Sequence, residues 1–252
     1  MAVRAASCWP VPTCGLRPTR GYTRCICVFA DDRWTERIGF REIRTHGRQL
    51  LLNRQLIELI RRDRNRASVI VWGVGNENED SDARLAFMRT LAQAAKAADP
   101  TRLTAAACLI NREKFCIEDR LTEHIDVIGI NEYFGWYEPD FSGLKRLLAA
   151  SAPDQPVIVS ETGADALAGH HGAADQFYTE ECQARVYQQQ IDHLALAPYV
   201  CGMTPWLLYD FRSERRQTVF NQGFNRKGLI AQDKKTRKLA FEVLARHYRK
   251  LG

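Results

Sequence analysis

No stretch of this 252-residue sequence approaches the ~18 consecutive apolar residues of a membrane span, so a membrane-spanning helix is not expected. A strong excess of one charge is also missing: 36 Lys and Arg against 30 Asp and Glu leave +6. The basic clusters are short, Arg61, Arg62, Arg64 and Arg66, then Lys234, Lys235, Arg237 and Lys238. Both lie beside helical patterns and read as solvated faces, so neither a nucleic-acid nor a membrane partner is expected. Low-complexity segments and short repeats are missing as well. At 45% hydrophobic and 26% charged residues, the composition excludes collagen and disorder and fits an ordinary folded chain.

The eight cysteines lack the paired spacing of a zinc knuckle. Cys8, Cys14, Cys25 and Cys27 read C-x5-C-x10-C-x-C, without the C-x2-C pairs that let four thiolates close a tetrahedral site. The chain is long enough to bury a core without disulfide staples. The apolar run from Cys25 to Ala30 is shorter than a signal core of about 7–15 residues. Residues 1–31 are therefore expected to be a poorly ordered leader, and the chain a reduced, cytoplasmic one.

What is present is an alternation of two periods. Residues near 38–43 and 50–52 suggest two short strands joined through His46-Gly47. Helical spacing marks residues 55–65, 84–98, 143–150, 176–195 and 238–248, and apolar runs mark strands at 68–72, 103–109, 125–131, 156–160 and 199–206. Apolar strands alternating with helices indicate α/β architecture, a parallel sheet covered by helices.

Two carboxylates stand where such a sheet binds ligands. Glu77 follows the strand Val69-Ile-Val-Trp72 by a short loop, and Glu161 directly follows Val157-Ile-Val-Ser160. Carboxylates at the carboxyl ends of parallel strands face the crevice or barrel mouth, and a pair is what glycosidic cleavage requires. A lone strand-end Glu is more often a surface charge, so context matters. Asn131-Glu-Tyr133-Phe-Gly-Trp-Tyr137 puts four rings within seven residues just past a strand, and Trp206 lies near another strand end. Flat rings edged by polar groups suit the faces of sugars. The rings could equally pack beneath a loop. His170-His171 lacks a third ligand at useful spacing, and Gly73-x-Gly75 is not completed because residue 78 is Asn. Neither a metal nor a nucleotide cofactor is expected.

Four of these segments resemble glycoside hydrolase family 2, the β-galactosidases and β-glucuronidases. Ser68-Val-Ile-Val-Trp-Gly-Val-Gly-Asn-Glu77 is similar to its acid/base segment, and Val157-Ile-Val-Ser-Glu161-Thr-Gly-Ala-Asp165 to its nucleophile segment. Asn131 to Tyr137 resembles the stretch around the active-site tyrosine. Thr35-Glu-Arg-Ile-Gly-Phe-Arg-Glu-Ile43 resembles the end of the immunoglobulin-like domain before the barrel. The resemblance implies a (β/α)8 TIM-type barrel and hydrolysis of terminal β-linked sugars with retention. It implies Glu77 as general acid/base, Glu161 as nucleophile, Asn76 on the sugar 2-hydroxyl, and Tyr133 and Trp206 as substrate-facing rings. Asn225 and Lys227 match the Asn-x-Lys element that holds a uronate carboxylate. The general acid should then carry a raised pKa while the nucleophile stays ionised.

Against the family pattern, Leu50-Leu-Leu-Asn53 leads straight into the helix before the acid/base strand, so about five of eight barrel strands are expected. The organisation read from sequence is a leader over residues 1–31, a β remnant of the immunoglobulin-like domain over 32–53, and a partial barrel over 54–252. The expected partner is a small-molecule or oligosaccharide β-glycoside, with room for an oligomer. Three readings stay open: a β-glucuronidase-like hydrolase, a β-galactosidase-like one, and a truncated non-catalytic or carbohydrate-binding remnant.

Overall fold

The computed structural model describes residues 52–138 and 140–251, together with the strands Tyr22–Phe29, Asp32–Gly39, Thr45–His46 and Gln49–Leu50, and gives side chains from residue 55 onward. The chain divides into two units, Met1–Leu52 and Asn53–Gly252.

In the first unit, Tyr22–Phe29 pairs antiparallel with Asp32–Gly39, and Thr45–His46 with Gln49–Leu50. The first strand lies inside the expected leader: the apolar run too short for a signal core is the length of a strand. The rest of the leader, with Cys8 and Cys14, lies outside the described residues, and no side chain of Cys25 or Cys27 is described.

The second unit is a five-stranded sheet with helices. In chain order the elements are α1 (Leu52–Asp63), β1 (Val71–Asn76), α2 (Asp82–Ala98), β2 (Leu103–Cys108), β3 (Val127–Asn131), α3 (Ser142–Ala150), β4 (Val157–Thr162), α4 (Glu180–Leu194), β5 (Val200–Pro205) and α5 (Leu239–Leu251). Every pairing within this sheet is parallel and the spatial order is β5-β4-β3-β2-β1. A doubly wound sheet reverses its order part-way. This one never does, so right-handed crossovers put all the helices on one face. That is an arc of an α/β barrel, with β1 and β5 each having one neighbour among the described residues.

The burial pattern follows from this. Trp72 and Val74 of β1, Ile128 and Ile130 of β3, Val157 and Val159 of β4, and Met203 of β5 join Met88, Leu91, Leu144, Leu147, Tyr187 and Leu244 in one core. Small residues recur at the alternate positions, Gly73, Gly75, Ala105, Ala107, Gly129, Ser160 and Gly202, beside Val71, Leu103, Val127 and Ile158. A side chain placed at Gly73 would meet nothing within 4 Å, whereas one at Gly75 would come within 2.7 Å of Met88.

Local chemistry fixes the helix ends. Ser81 caps α2 by accepting from the Arg84 backbone N–H, and Thr179 caps α4 by accepting from that of Cys182. Arg84 makes two hydrogen bonds, of 2.6 and 2.7 Å, to the buried Asp119. Asp119 in turn caps the 3₁₀ helix Arg120–His124. Among the described residues, no helix is long and apolar enough to cross a membrane.

Candidate active site

Because all five strands run the same way, their carboxyl ends share one edge, and most of the singled-out residues lie there. Asn76 is the last residue of β1. Glu77 follows it, its backbone N–H donating to the Ala107 carbonyl at 3.0 Å. The strand expected over 68–72 thus begins later and runs through both glycines. Glu77 has a left-handed φ of 47°, which turns the chain off the sheet. Both Asn76 and Glu77 are exposed.

Asn131 ends β3 and is in register with Glu161. Glu161 lies inside β4 rather than beyond it, at a register shift after Val159. The bulge re-aims the carboxylate. The Tyr133 hydroxyl donates to Glu161 Oε2 at 3.0 Å, and Asn131 Nδ2 donates to Asn76 Oδ1 at 3.0 Å. One hydrogen-bonded group therefore joins the tips of β1, β3 and β4.

Burial holds the Glu161 carboxyl above the usual carboxylate range; the Glu77 charge adds to this, while Tyr133 and Asn131 act against it. That sensitivity to Glu77 brings the two acids into one electrostatic neighbourhood. Glu161 is half-buried on an inner strand, whereas Glu77, expected to take the more apolar setting of the two, is exposed at the tip of β1. Burial and the Glu161 charge push the Tyr133 phenol well up, so it stays a proton donor.

Trp206 follows β5. Its backbone N–H donates to the Thr162 carbonyl at 2.8 Å, and its exposed ring meets Phe211 edge-on, with centroids 6.5 Å apart. Lys227 is buried, and its ammonium bonds to the Asp165 carboxylate and to the Tyr137 hydroxyl at 2.8 Å. It lies 5.6, 5.5 and 4.6 Å from the ring centroids of Tyr133, Trp136 and Tyr137. Asn225 Oδ1 accepts from the Lys227 backbone N–H at 3.0 Å, which leaves its amide N–H groups for other partners.

Sequence reading missed three members of this cluster. Asp165 and Tyr137 stood inside quoted segments but were given no role. Arg216, on an aperiodic loop, gave no signal. Its guanidinium reaches Asp165 at 3.5 Å and the Tyr137 hydroxyl at 3.3 Å. Lys227 and Arg216 thus both face one carboxylate. Burial raises the Tyr137 phenol, but donation from Lys227 and Arg216 outweighs it and brings the phenol below its usual value.

Residues 44–251 match the family described as Glycosyl hydrolases family 2, TIM barrel domain. The chain belongs to that family. A β-glucuronidase of Bacteroides fragilis is 31% identical over 224 residues, covering 84% of this chain and 30% of that protein. The solved β-D-glucuronidase of Dictyoglomus thermophilum superposes with a TM-score of 0.69 at 28% identity, covering 79% of this chain and 35% of the other. A family 2 β-galacturonidase from Eisenbergiella tayi shares the fold, with a TM-score of 0.70 at 23% identity, over 79% of this chain and 36% of the other. The chain thus spans about a third of the length of these relatives.

Proposed function

We propose that this chain carries the retaining glycosidase centre of a β-glucuronidase-like hydrolase, with residues 54–252 as its barrel portion and 32–53 as the end of a preceding immunoglobulin-like domain. The observation that carries this reading is the group at the strand tips: Glu161 held by Tyr133, Asn76 held by Asn131, and Glu77 close enough to raise Glu161. In this reading Glu161 attacks the anomeric carbon while Glu77 protonates the leaving oxygen. Water deprotonated by Glu77 then releases the sugar, so that two inversions give net retention. The Tyr133 hydroxyl and the Asn131 amide steady the Glu161 charge before attack. Asn76 meets the 2-hydroxyl, and Trp206 offers a ring face to the sugar.

A uronate rather than a neutral sugar follows from charge. Lys227 and Arg216 are two cations around the single carboxylate of Asp165, which favours an added anion. Arg216 and Tyr137 are the more exposed members. A sugar carboxylate meets them first, with Lys227 behind and Asn225 supplying amide donors. The β-glucuronidases among the relatives support the same choice.

A second reading has its own support. Glu77 stands exposed just past β1, which has one neighbour among the described residues, near the open position at Gly73, a setting poor at excluding water. This favours a chain that binds sugar without turning it over. Assay of the purified chain on aryl β-glucuronide and aryl β-galactoside separates the readings. Faster turnover of the glucuronide, lost in Glu161→Gln, is the expected result. Turnover unaffected by Glu161→Gln removes the nucleophile assignment, and preference for the galactoside removes the uronate assignment. Sugar binding without turnover, surviving Glu161→Gln, supports the second reading.

A further inference from the structure

Resting on the hydrolase reading, we infer that Ser160 and Asn131 are positioning residues that fix the Asn76 amide with its N–H groups, not its carbonyl, turned toward the substrate. An asparagine amide is nearly symmetric in shape, so its orientation is decided by neighbours whose hydrogen-bond polarity is unambiguous. Ser160, Asn76 and Glu161 surround Asn131, and of these the Glu161 carboxylate has one polarity only. Ser160 Oγ lies 2.7 Å from Asn131 Oδ1 and 3.2 Å from the Ile130 carbonyl. A serine hydroxyl both donates and accepts, so this contact alone fits either sense of the amide. The deciding neighbour is Glu161, paired in register with Asn131 on the adjacent strand, because an ionised carboxylate only accepts. With the amide nitrogen turned to Glu161 and Asn76, Asn131 Oδ1 faces Ser160 and accepts its proton.

The Glu161 carboxylate, which the Asn131 side chain faces, fixes this sense. A flipped amide would set its oxygen against that anion. The donated proton goes on to Asn76 Oδ1 at 3.0 Å, which occupies the Asn76 carbonyl. Asn76 Nδ2 is left with both hydrogens at an exposed strand tip. The Asn76 backbone is pinned separately, its N–H donating to Asn78 Oδ1 at 3.3 Å. Asn131, oriented by Glu161 and held by the Ser160 hydroxyl on β4, thus sets the polarity of an amide on β1, three strands away from β4 in the sheet order.

An acceptor on the sugar, such as the 2-hydroxyl oxygen, then always meets a donor. The same relay keeps one Asn131 N–H on the nucleophile, so the relay serves Asn76 and Glu161 together.

The test compares Ser160→Ala, which deletes the hydroxyl, with Ser160→Thr, which keeps it on a β-branched residue suited to a strand. Side-chain amide hydrogen exchange, read by NMR on the ¹⁵N-labelled full chain, decides the relay without needing turnover. The Asn131 amide should exchange slowly and the Asn76 amide quickly. Asn131 should speed up about 10-fold or more in Ser160→Ala and stay slow in Ser160→Thr, the loss of one hydrogen bond. A protected Asn76 amide, or Asn131 exchange indifferent to Ser160→Ala, overturns the inference.

Kinetics adds a second reading. The preference for aryl β-glucuronide over its 2-deoxy analogue should shrink about 10-fold in Ser160→Ala and return in Ser160→Thr. Equal effects of Ser160→Ala on both substrates also overturn it. A chain that shows the expected exchange pattern but turns over neither substrate keeps the relay and discards the hydrolase reading.

Discussion

Replacing Asp165 by Asn removes the carboxylate that, among the described residues, pairs with the buried Lys227. The side chains of Asp165 and Lys227 are 0% and 1% exposed, so water cannot take over. Asp165 Oδ2 accepts from Lys227 and, at 3.5 Å, from Arg216, and Oδ1 accepts from the Arg226 backbone N–H at 2.9 Å. In the variant, one of these oxygens becomes an NH₂ that must point at a donor. Lys227 keeps only the Tyr137 hydroxyl and the aromatic faces. Breaking a buried ion pair from one side costs about 3–5 kcal/mol. For a unit the size of Asn53–Gly252, each kcal/mol moves Tm by about 2–4 °C, so Asp165→Asn should lower Tm by about 6–20 °C in circular-dichroism melts. Adding Lys227→Met removes the stranded charge, so the double variant should be less destabilised than the two single losses summed. A Tm within about 2 °C of the parent, or strict additivity in the double variant, would refute the reasoning.

Other outcomes follow from the same site. Tyr133→Phe removes the donor on Glu161 Oε2, a hydrogen bond to a charged group worth about 1.5–3 kcal/mol. kcat/KM should fall about 10- to 150-fold, and the acid limb of its pH profile should move to higher pH; an unmoved limb counts against Tyr133 as the group that holds Glu161 ionised. Glu132 is buried at the root of the aromatic loop, accepting from the Phe134 N–H and from Gln190, and burial pushes its carboxyl up from 4.5 to about 7. The folded chain therefore binds more protons than the unfolded one between those values, and stability should fall as pH rises through that window, by at most about 3 kcal/mol. Urea titrations at pH 5 and pH 8 should show this loss in the parent and not in Glu132→Gln; equal losses in both would place its origin elsewhere. Gly129→Ala would put a Cβ 2.8 Å from the Ala106 carbonyl oxygen and 2.9 Å from Ser160 Oγ, and should cost about 1–3 kcal/mol in the same titrations. A neutral result would mean that the β2–β3 spacing relaxes freely.

The strand within 125–131 was legible because it is buried on both faces and continuous apolar runs are the mark of such strands; that at 156–160 was legible from its consecutive β-branched residues Val157-Ile-Val159. The helices were legible from their one-sided apolar spacing, and α4 starts later than its pattern because Thr179, not residue 176, supplies the cap. β1 was misplaced because Gly73 and Gly75 read as loop. In the sheet, Gly75 is required by Met88, and Gly73 faces open space, so neither leaves an apolar trace in the sequence. Glu161 and Tyr133 were legible as motif residues beside strand ends, but their mutual contact depends on the β4 bulge, which no periodicity encodes. Arg216 was illegible for a related reason: it joins Asp165 and Tyr137 across 51 and 79 residues from a loop without a repeat.

The central claim is that Glu161 is the group that bonds to the sugar. Incubation of the full chain with a 2-deoxy-2-fluoro-β-glucuronyl fluoride, followed by peptide mass spectrometry, tests it directly. One fluoroglucuronyl adduct on the peptide containing Glu161, absent from Glu161→Gln, is the expected result. An adduct on any other side chain, or none while the chain still hydrolyses aryl β-glucuronide, would contradict the account.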